Sequence, residues 1–267
     1  MDMKFTFLLR KHHYADIYDY ARPQIPDEAI SRICSYLSWQ PRCVVDLGCG
    51  TGLSCEKWCS YSEEVIGVDI RPDLLSVATK KKHPGLRFLC ADASSACLPE
   101  RCADIVICSQ AFHWMNTLET LNQVNRILRP GGVFAILDYE IMPMGNYAIE
   151  KCFFDFVQDV DEYISNHSLN AQPYPKMAEH SYIQILDQSG NYSFIRKIHF
   201  SSSQEYDSKR LTALAASQGK VFNALRSHKE GLSKRLDTFY AEMDALCASN
   251  TVNLDFAYTV YLGVKNA

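Results

Sequence analysis

Short apolar runs alternate with amphipathic segments through the first half of the chain. The run from Cys43 to Leu47 is interrupted only by Asp46, and four similar runs follow it before residue 140. Strands that are buried on both faces and separated by helices are typical of a parallel sheet. The predicted strands of this half are 43–47, 65–69, 86–91, 104–108 and 133–137. Helices are predicted at 27–37, 53–59, 72–81 and 117–128.

The pattern changes after Tyr139, where helical spacing and aromatic residues dominate. One helix is predicted from Tyr147 to Ile164, and two or three more lie between Ser208 and Ala248. The last two strands are predicted at 193–200 and 253–264. This helical material exceeds what a minimal sheet needs, so we expect it to cap the carboxyl ends of the strands, where open α/β sheets bind ligands.

The expected architecture is therefore an α/β, Rossmann-like fold. It has a seven-stranded, mostly parallel sheet with helices on both faces and a helical cap. Residues 1–140 are expected to hold N-terminal helices and the Rossmann-like core. Residues 141–267 are expected to hold the cap insertions and the last two strands of the same sheet.

Composition and charge exclude some classes of function. Apolar residues make up 47% of the chain and charged residues 22%, as in ordinary globular proteins. A net charge of −4 provides no basic field for a nucleic acid backbone. Apolar runs fall short of the roughly 20 residues that span a membrane. We therefore expect neither nucleic acid nor a membrane as partner. Several of the eleven cysteines lie in predicted strands, so we expect reduced thiols and a cytoplasmic location.

A glycine-rich segment at the exit of the first strand is the first sign of a ligand site. Gly48, Gly50 and Gly52 stand where the backbone must turn sharply and pass close to a ligand at a helix N-terminus. A dinucleotide fingerprint would need its third glycine at position 53, which is Leu53.

Two acids and a turn sharpen this signal. Asp69 closes the second strand, where a carboxylate can accept hydrogen bonds from both ribose hydroxyls. Asp92 follows the third strand, within reach of an adenine amino group. The turn Arg129-Pro130-Gly131-Gly132 precedes the fifth strand.

This order of motifs resembles the class I S-adenosylmethionine-dependent methyltransferases over roughly residues 10 to 140. It is most similar to the small-molecule branch that includes trans-aconitate methyltransferase-like proteins, through Ala111-Phe112-His113-Trp114 after the fourth strand. The resemblance implies S-adenosylmethionine as cofactor, with glycines beside its methionine part and Gln110 near the sulfonium. The residues implied in cofactor binding are Asp46, Gly48, Cys49, Gly50, Asp69, Ile70, Asp92, Ala93 and Gln110.

The expected reaction is methyl transfer to a small-molecule acceptor, with O-methylation of a carboxylate or hydroxyl favoured. The resemblance makes His113 the candidate catalytic residue, either as a base or as a group that positions the substrate. Methyltransferases acting on amide or exocyclic amine nitrogens commonly carry Asn/Asp-Pro-Pro-Tyr where this chain has Ser109-Gln110-Ala111-Phe112. The candidate substrate-binding residues are Tyr18, Arg22, Trp114, Tyr139 and Tyr147.

Two other functions stay open from the sequence. A non-catalytic subunit that binds S-adenosylmethionine would need the same glycines and acids. An NAD-dependent oxidoreductase is disfavoured by Leu53 and by the lack of a second nucleotide-binding half. Cys55 and Cys59 lie one helical turn apart, but no second pair with zinc-ligand spacing accompanies them, so we expect no metal site.

Overall fold

The computed structural model describes residues 13–267, apart from residues 168–181, 228 and 249. Its strands are β1 Cys43–Leu47, β2 Glu64–Asp69, β3 Leu86–Cys90, β4 Ala103–Ser109, β5 Leu128–Tyr139, β6 Tyr192–Tyr206 and β7 Val252–Lys265. They form one seven-stranded sheet in the order β3-β2-β1-β4-β5-β7-β6. Neighbouring strands from β3 to β5 pair in parallel, and β7 pairs antiparallel to β5. The predicted Rossmann-like, mostly parallel sheet is confirmed.

Helices connect the parallel strands and make up much of the rest of the chain. They are α1 Tyr14–Ala21, α2 Asp27–Cys34, α3 Leu53–Trp58, α4 Pro72–Ala78, α5 Thr117–Ile127, α6 Tyr147–Asn166, α7 Tyr182–Gln188, α8 Ser208–Ala216, α9 Gly219–Ser227 and α10 Lys229–Cys247. Pro72 occupies the first turn of α4, where its fixed φ suits a helix start and its missing N–H costs nothing. A 3₁₀ turn, Phe112–Trp114, follows β4.

The chain divides into two compact units. The first contains residues 1–23, 140–175 and 201–256, and the second contains residues 24–139, 176–200 and 257–267. Residues 14–23, which the sequence analysis grouped with the core, fall in the first unit. The position of the predicted cap over the strand ends stays a prediction.

The second unit has the central strands at its core. All five residues of β1 and the first six of β4 are buried, which means that both faces of these strands are covered. On one face, Val45 and Val106 pack in a cluster with Leu121 and Val124 of α5. Burial on both faces explains why these strands are continuous apolar runs in the sequence.

The first unit is built mainly from helices. Phe156 of α6 stacks on Phe239 of α10, with ring centroids 4.3 Å apart, and Phe153 meets the same ring edge-on. The Arg235 guanidinium lies 5.6 Å from the centre of the Phe156 ring and forms an ion pair with Asp159. The aromatic content predicted for Tyr147 to Ile164 therefore contributes, in part, to a helical core.

Two predicted strand boundaries were wrong. The residues Arg129 to Gly132, predicted as a free turn, lie within β5 as an irregularity: Ala103 pairs with Leu128, and Ile105 pairs with Val133. Gly131 has a φ of 72°, which lets the chain loop out without leaving the sheet. β6 continues to Tyr206 rather than ending at Phe200. The sequence did not indicate this extension because the serine-rich end of the strand is half-exposed and lacks alternating apolar residues.

Asp104 connects the beginnings of three strands at the amino-end edge of the sheet. Its side chain is fully buried and accepts hydrogen bonds from the Trp39 indole, from the Arg42 and Cys43 backbone N–H groups, and from the Arg129 guanidinium. Burial by itself would raise the pKa of Asp104, but these donors outweigh it and hold the pKa below its usual value.

Replacing this carboxylate should destabilise the sheet. Asp104→Ala leaves the Arg129 cation and three further donors without their acceptor, so we expect a loss of about 3–5 kcal/mol in the free energy of unfolding. The control is Asp187→Ala, which alters an exposed carboxylate on α7 and should change stability by less than about 0.5 kcal/mol. Urea unfolding followed by circular dichroism measures both, and equal losses would contradict the assignment.

Candidate functional site

The carboxyl ends of the parallel strands meet at one edge of the sheet in the second unit. Leu47 pairs with Val68, Asp69 with Cys90, and Ser109 with Leu137. The segments that leave these strands therefore start side by side. They carry most of the residues that the sequence analysis proposed, and open α/β sheets bind ligands at this edge.

The glycine loop after β1 turns sharply and has no room for a side chain at Gly48. Gly48 and Gly50 have φ values of 76° and 55°, in the left-handed region that favours glycine. A Cβ at Gly48 would lie 2.5 Å from the Cβ of Ala111, whereas one at Gly50 would meet only a Leu74 methyl at 3.8 Å. The loop is thus packed against the β4 exit at Gly48 and has space at Gly50.

Asp69 fixes the glycine loop from the end of β2. Its Oδ2 accepts a hydrogen bond from the Gly50 N–H at 2.7 Å, and its Oδ1 accepts one from the Arg71 N–H at 2.8 Å. Burial raises the pKa of Asp69, while these two N–H groups oppose the rise. Each carboxylate oxygen can accept more than one hydrogen bond, so both retain capacity for a diol.

Asp46 lies beneath the loop, and its side chain is fully buried. Burial raises the pKa of its carboxyl to about 7, although hydrogen bonds from Cys55 and Ser54 lower it. The Cys55 thiol donates to Asp46 Oδ2 at 3.3 Å, and the Cys59 thiol donates to the Cys55 carbonyl oxygen at 3.3 Å. Cys49, in the loop itself, is buried. Cys55 and Cys59 therefore have separate hydrogen-bond partners.

The residues proposed for the adenine side lie after β2 and β3. Ile70 is 63% exposed and directly follows Asp69, so it offers an apolar surface next to the proposed ribose site. Asp92 is exposed and Ala93 is half-buried. The hydroxyl and N–H of Ser94 donate to Asp92 Oδ1 and hold the pKa of this carboxyl below its usual range. Asp92 is thus oriented as an anionic acceptor.

The exit of β4 is held in an uncommon backbone conformation. Gln110 has a φ of 54°, its N–H donates to the Leu137 carbonyl, and its side-chain amide donates to the Tyr139 carbonyl at 2.7 Å. Non-glycine residues with positive φ are enriched at functional sites. The Gln110 side chain ties the ends of β4 and β5 together. Its predicted place near a sulfonium stays a prediction.

The 3₁₀ turn that follows presents a buried histidine beside an exposed tryptophan. His113 is 6% exposed and Trp114 is 47% exposed. His113 Nδ1 lies 3.9 Å from Oδ1 of Asp138, in β5, and both side chains are almost fully buried. Asp138 is not among the residues predicted from the sequence. A lone aspartate before a tyrosine at the end of an apolar strand was the available signal.

The candidate substrate residues fall in both units. Trp114 and Tyr139 belong to the second unit, where the Tyr139 ring lies 5.6 Å from that of Tyr258. Tyr18, Arg22 and Tyr147 belong to the first unit. There the Arg22 guanidinium donates to the hydroxyl and carbonyl of Ser217, while Tyr147 is 80% exposed. The contacts of Arg22 hold the end of α8, a role that its position in the sequence did not indicate.

Comparisons with known proteins agree with this geometry. The methyltransferase domain family matches residues 45–136. The protein named Probable S-adenosylmethionine-dependent methyltransferase CRG1, from Saccharomyces cerevisiae, is 32% identical over 165 residues, which cover 59% of this chain and 53% of that protein. An uncharacterised methyltransferase from Schizosaccharomyces pombe is 27% identical over 245 residues, covering 90% and 91%. The chain spans about half the length of the first two curated relatives it matches.

A solved structure extends the likeness to the fold. A protein described as a type II methyltransferase, from Anaeromyxobacter dehalogenans, superposes with a TM-score of 0.67 at 18% identity, covering 91% of this chain and 97% of that one. The family match spans the glycine loop, Asp69, Asp92 and His113, and the solved structure shares the fold of this chain. S-adenosylmethionine, the cofactor expected from the sequence, appears in the name of the Saccharomyces cerevisiae relative.

The residues of the methyltransferase domain fit this cofactor. The open side of Gly50 lets backbone approach a ligand closely, and Asp69 offers acceptors for a ribose diol. The Asp46 carboxyl is buried two residues before Gly48, and a cationic group bound there would favour its ionised form. Within the described parts of the chain, no helix is long and apolar enough to cross a membrane.

The close approach at Gly48 predicts a loss of both stability and binding on substitution. Gly48→Ala puts a methyl group against Ala111, in addition to the strain of a positive φ, so S-adenosylhomocysteine should bind at least roughly tenfold more weakly by calorimetry. Unfolding should cost about 1–3 kcal/mol less than in the control below.

Gly190→Ala is the matched control. Gly190 has a φ of 66°, but a Cβ there would meet no atom within 4 Å. Its alanine variant pays the backbone strain of about 1–2 kcal/mol without a clash and should bind S-adenosylhomocysteine normally. Equal behaviour of the two variants would show that the contact with Ala111 does not matter.

Proposed function

We propose that the chain transfers a methyl group from S-adenosylmethionine to an oxygen of a small-molecule acceptor, a hydroxyl or a carboxylate. The observation that carries this proposal is the packing of Ala111 against Gly48. It sets the start of the His113 turn directly on the glycine loop, so that a buried imidazole stands near the residues proposed to bind the methionine part of the cofactor.

In the proposed complex, residues of this chain hold the donor at four points. Gly48, Cys49 and Gly50 present backbone to its methionine part, with Asp46 beneath them. Asp69 accepts the ribose hydroxyls, with Ile70 packing beside them. Asp92 and Ala93 are assigned to the adenine, and Gln110 is assigned to the sulfonium.

S-adenosylmethionine supplies an electrophilic methyl group on a positively charged sulfur. With the cofactor bound, this methyl group would pass to the acceptor oxygen, and the carbon–sulfur bonding electrons would leave with S-adenosylhomocysteine. The donor is already activated, and the protein therefore contributes mainly alignment and the exclusion of water. A hydroxyl acceptor must also lose a proton, and we assign its removal to a neutral His113. A carboxylate acceptor needs no base, and His113 would then position it.

A small acceptor agrees with the surface chemistry of the protein. The net charge of −4 disfavours a nucleic acid substrate. The exposed Trp114 ring, next to His113, offers an apolar face for a compact organic molecule. Tyr139 is proposed to line the same site. The substrate roles of Tyr18, Arg22 and Tyr147, and the trans-aconitate-like branch, rest on the sequence.

The eleven cysteines are free thiols, which supports a reducing, cytoplasmic setting.

The direct test is a methyl-transfer assay with labelled S-adenosylmethionine. We expect label in a panel of small hydroxy and carboxylic acids, and none in RNA or protein acceptors. Label found only in macromolecules would refute the small-molecule proposal. Binding of S-adenosylhomocysteine without turnover on any acceptor, including a metabolite extract, would favour the non-catalytic subunit instead.

Loss of the Asp69 carboxylate should weaken cofactor binding. Asp69→Ala removes two charge-assisted hydrogen bonds to the ribose, and the affinity for S-adenosylhomocysteine should fall at least roughly tenfold by calorimetry. The control is Asp73→Ala, which removes an exposed carboxylate paired with Arg71 and should leave affinity unchanged. Unchanged affinity in Asp69→Ala would refute the ribose assignment.

His113→Asn separates the base from the positioning role. If His113 is the base, turnover of a hydroxyl acceptor should fall below roughly pH 6.5, where an ordinary imidazole is protonated. The variant should lose this pH limb and about 10²–10⁴-fold in kcat. If His113 positions the acceptor, KM should rise and the pH limb should remain. No change in kcat, KM or pH profile would remove His113 from the site.

A further inference from the structure

A buried carboxylate stands next to the candidate base. Asp138 Oδ1 lies 3.9 Å from His113 Nδ1, and each side chain is 3% exposed. Burying an ionised carboxylate is costly unless donors or cations compensate it. The Nδ1 side of an imidazole can serve as such a donor when it carries the proton.

Both residues are held by rigid parts of the sheet. Asp138 pairs with Thr259 of β7, while Leu137 accepts a hydrogen bond from the Gln110 N–H at the β4 exit. The buried Phe112 ring anchors the 3₁₀ turn edge-on against Phe134 of β5 and Tyr182 of α7. Side chains on such supports keep their relative geometry during a reaction.

The surrounding charges are also acidic. Cys108 lies on β4, where burial raises the pKa of its thiol and the negative charges of Asp46 and Asp138 raise it further. Cys108 therefore lies within the electrostatic influence of carboxylates from both β1 and β5. A His113 imidazole that gains a proton is stabilised by Asp138, whose Oδ1 lies 3.9 Å from Nδ1.

We propose that Asp138 is a positioning residue for His113. Its carboxylate holds the proton of the neutral imidazole on Nδ1 and leaves Nε2 to accept a proton from the acceptor. This proposal rests on the function proposed above. The proton moves from the acceptor oxygen to Nε2 as the carbon–oxygen bond forms, and the resulting imidazolium pairs with Asp138. A separation of 3.9 Å exceeds a hydrogen bond, and such contacts often tighten only in the reacting complex.

The test reads the imidazole tautomer directly. Protein with ¹⁵N-labelled histidine, saturated with S-adenosylhomocysteine, is measured by long-range ¹H–¹⁵N NMR at pH 8, and His113→Asn identifies the His113 signals by their loss. We expect the Nδ1–H tautomer in the unsubstituted protein. Predominance of the Nε2–H tautomer there would overturn the proposal, whatever any variant does.

Asp138→Asn then tests the cause. The amide can donate to Nδ1, so the Nε2–H population should rise at least fivefold, whereas Asp187→Asn, on an exposed carboxylate of α7, should leave the tautomer unchanged. An unchanged tautomer in Asp138→Asn would also refute the proposal.

A separate measurement keeps this result distinct from the function on which it rests. Calorimetry should give an affinity of Asp138→Asn for S-adenosylhomocysteine within threefold of the unsubstituted protein, because Asp138 is not assigned to the cofactor. A larger loss would assign Asp138 to cofactor binding and overturn the positioning role. Failure of the unsubstituted protein to methylate any small acceptor would instead contradict the proposed function.

Discussion

The close approach of Gly48 to Ala111 is the constraint on which the rest of the site depends. The loops that leave β1 and β4 can touch here only because residue 48 is a glycine and has no side chain. The contact brings the glycine loop, which Asp69 fixes from β2, against the turn that carries His113. Three neighbouring strands thus contribute backbone, carboxylate and imidazole to one edge, without any of these groups being close in the sequence.

The central sheet was predictable because burial on both faces leaves a simple record. A strand such as β1, with every residue buried, must be apolar throughout, and the glycines after it mark where it ends. The outer strand β6 carries serines on a half-exposed edge, so its true length was not evident. The residues Arg129 to Gly132 look like a turn because glycines suit both a turn and a bulge, and only the pairing of β4 with β5 separates the two.

The candidate site was predictable only as a group of residues that adjoin strands in a recognised order, and their roles stay predictions. Asp69 belongs to that order, and its two backbone hydrogen bonds explain why a carboxylate suits the end of β2. Asp138 does not belong to that order. Its proposed role depends on His113, which follows the neighbouring strand β4 and is 25 residues away in the chain. Arg22 shows the opposite case. The sequence made it a candidate substrate-binding residue and gave no sign that its guanidinium bonds to Ser217, which is 195 residues away in the chain.

The two edges of the sheet treat buried carboxylates differently. At the amino-end edge, Asp104 receives four donors, including an arginine, and its pKa is held low; this is how a buried charge stabilises a fold. At the carboxyl-end edge, burial raises the pKa values of Asp46 and Asp69, which means that their charge is less fully compensated there. A cationic cofactor would supply the missing compensation. This difference between the carboxylates agrees with the proposal that one edge of the sheet is stabilised by Asp104 and the other binds a ligand.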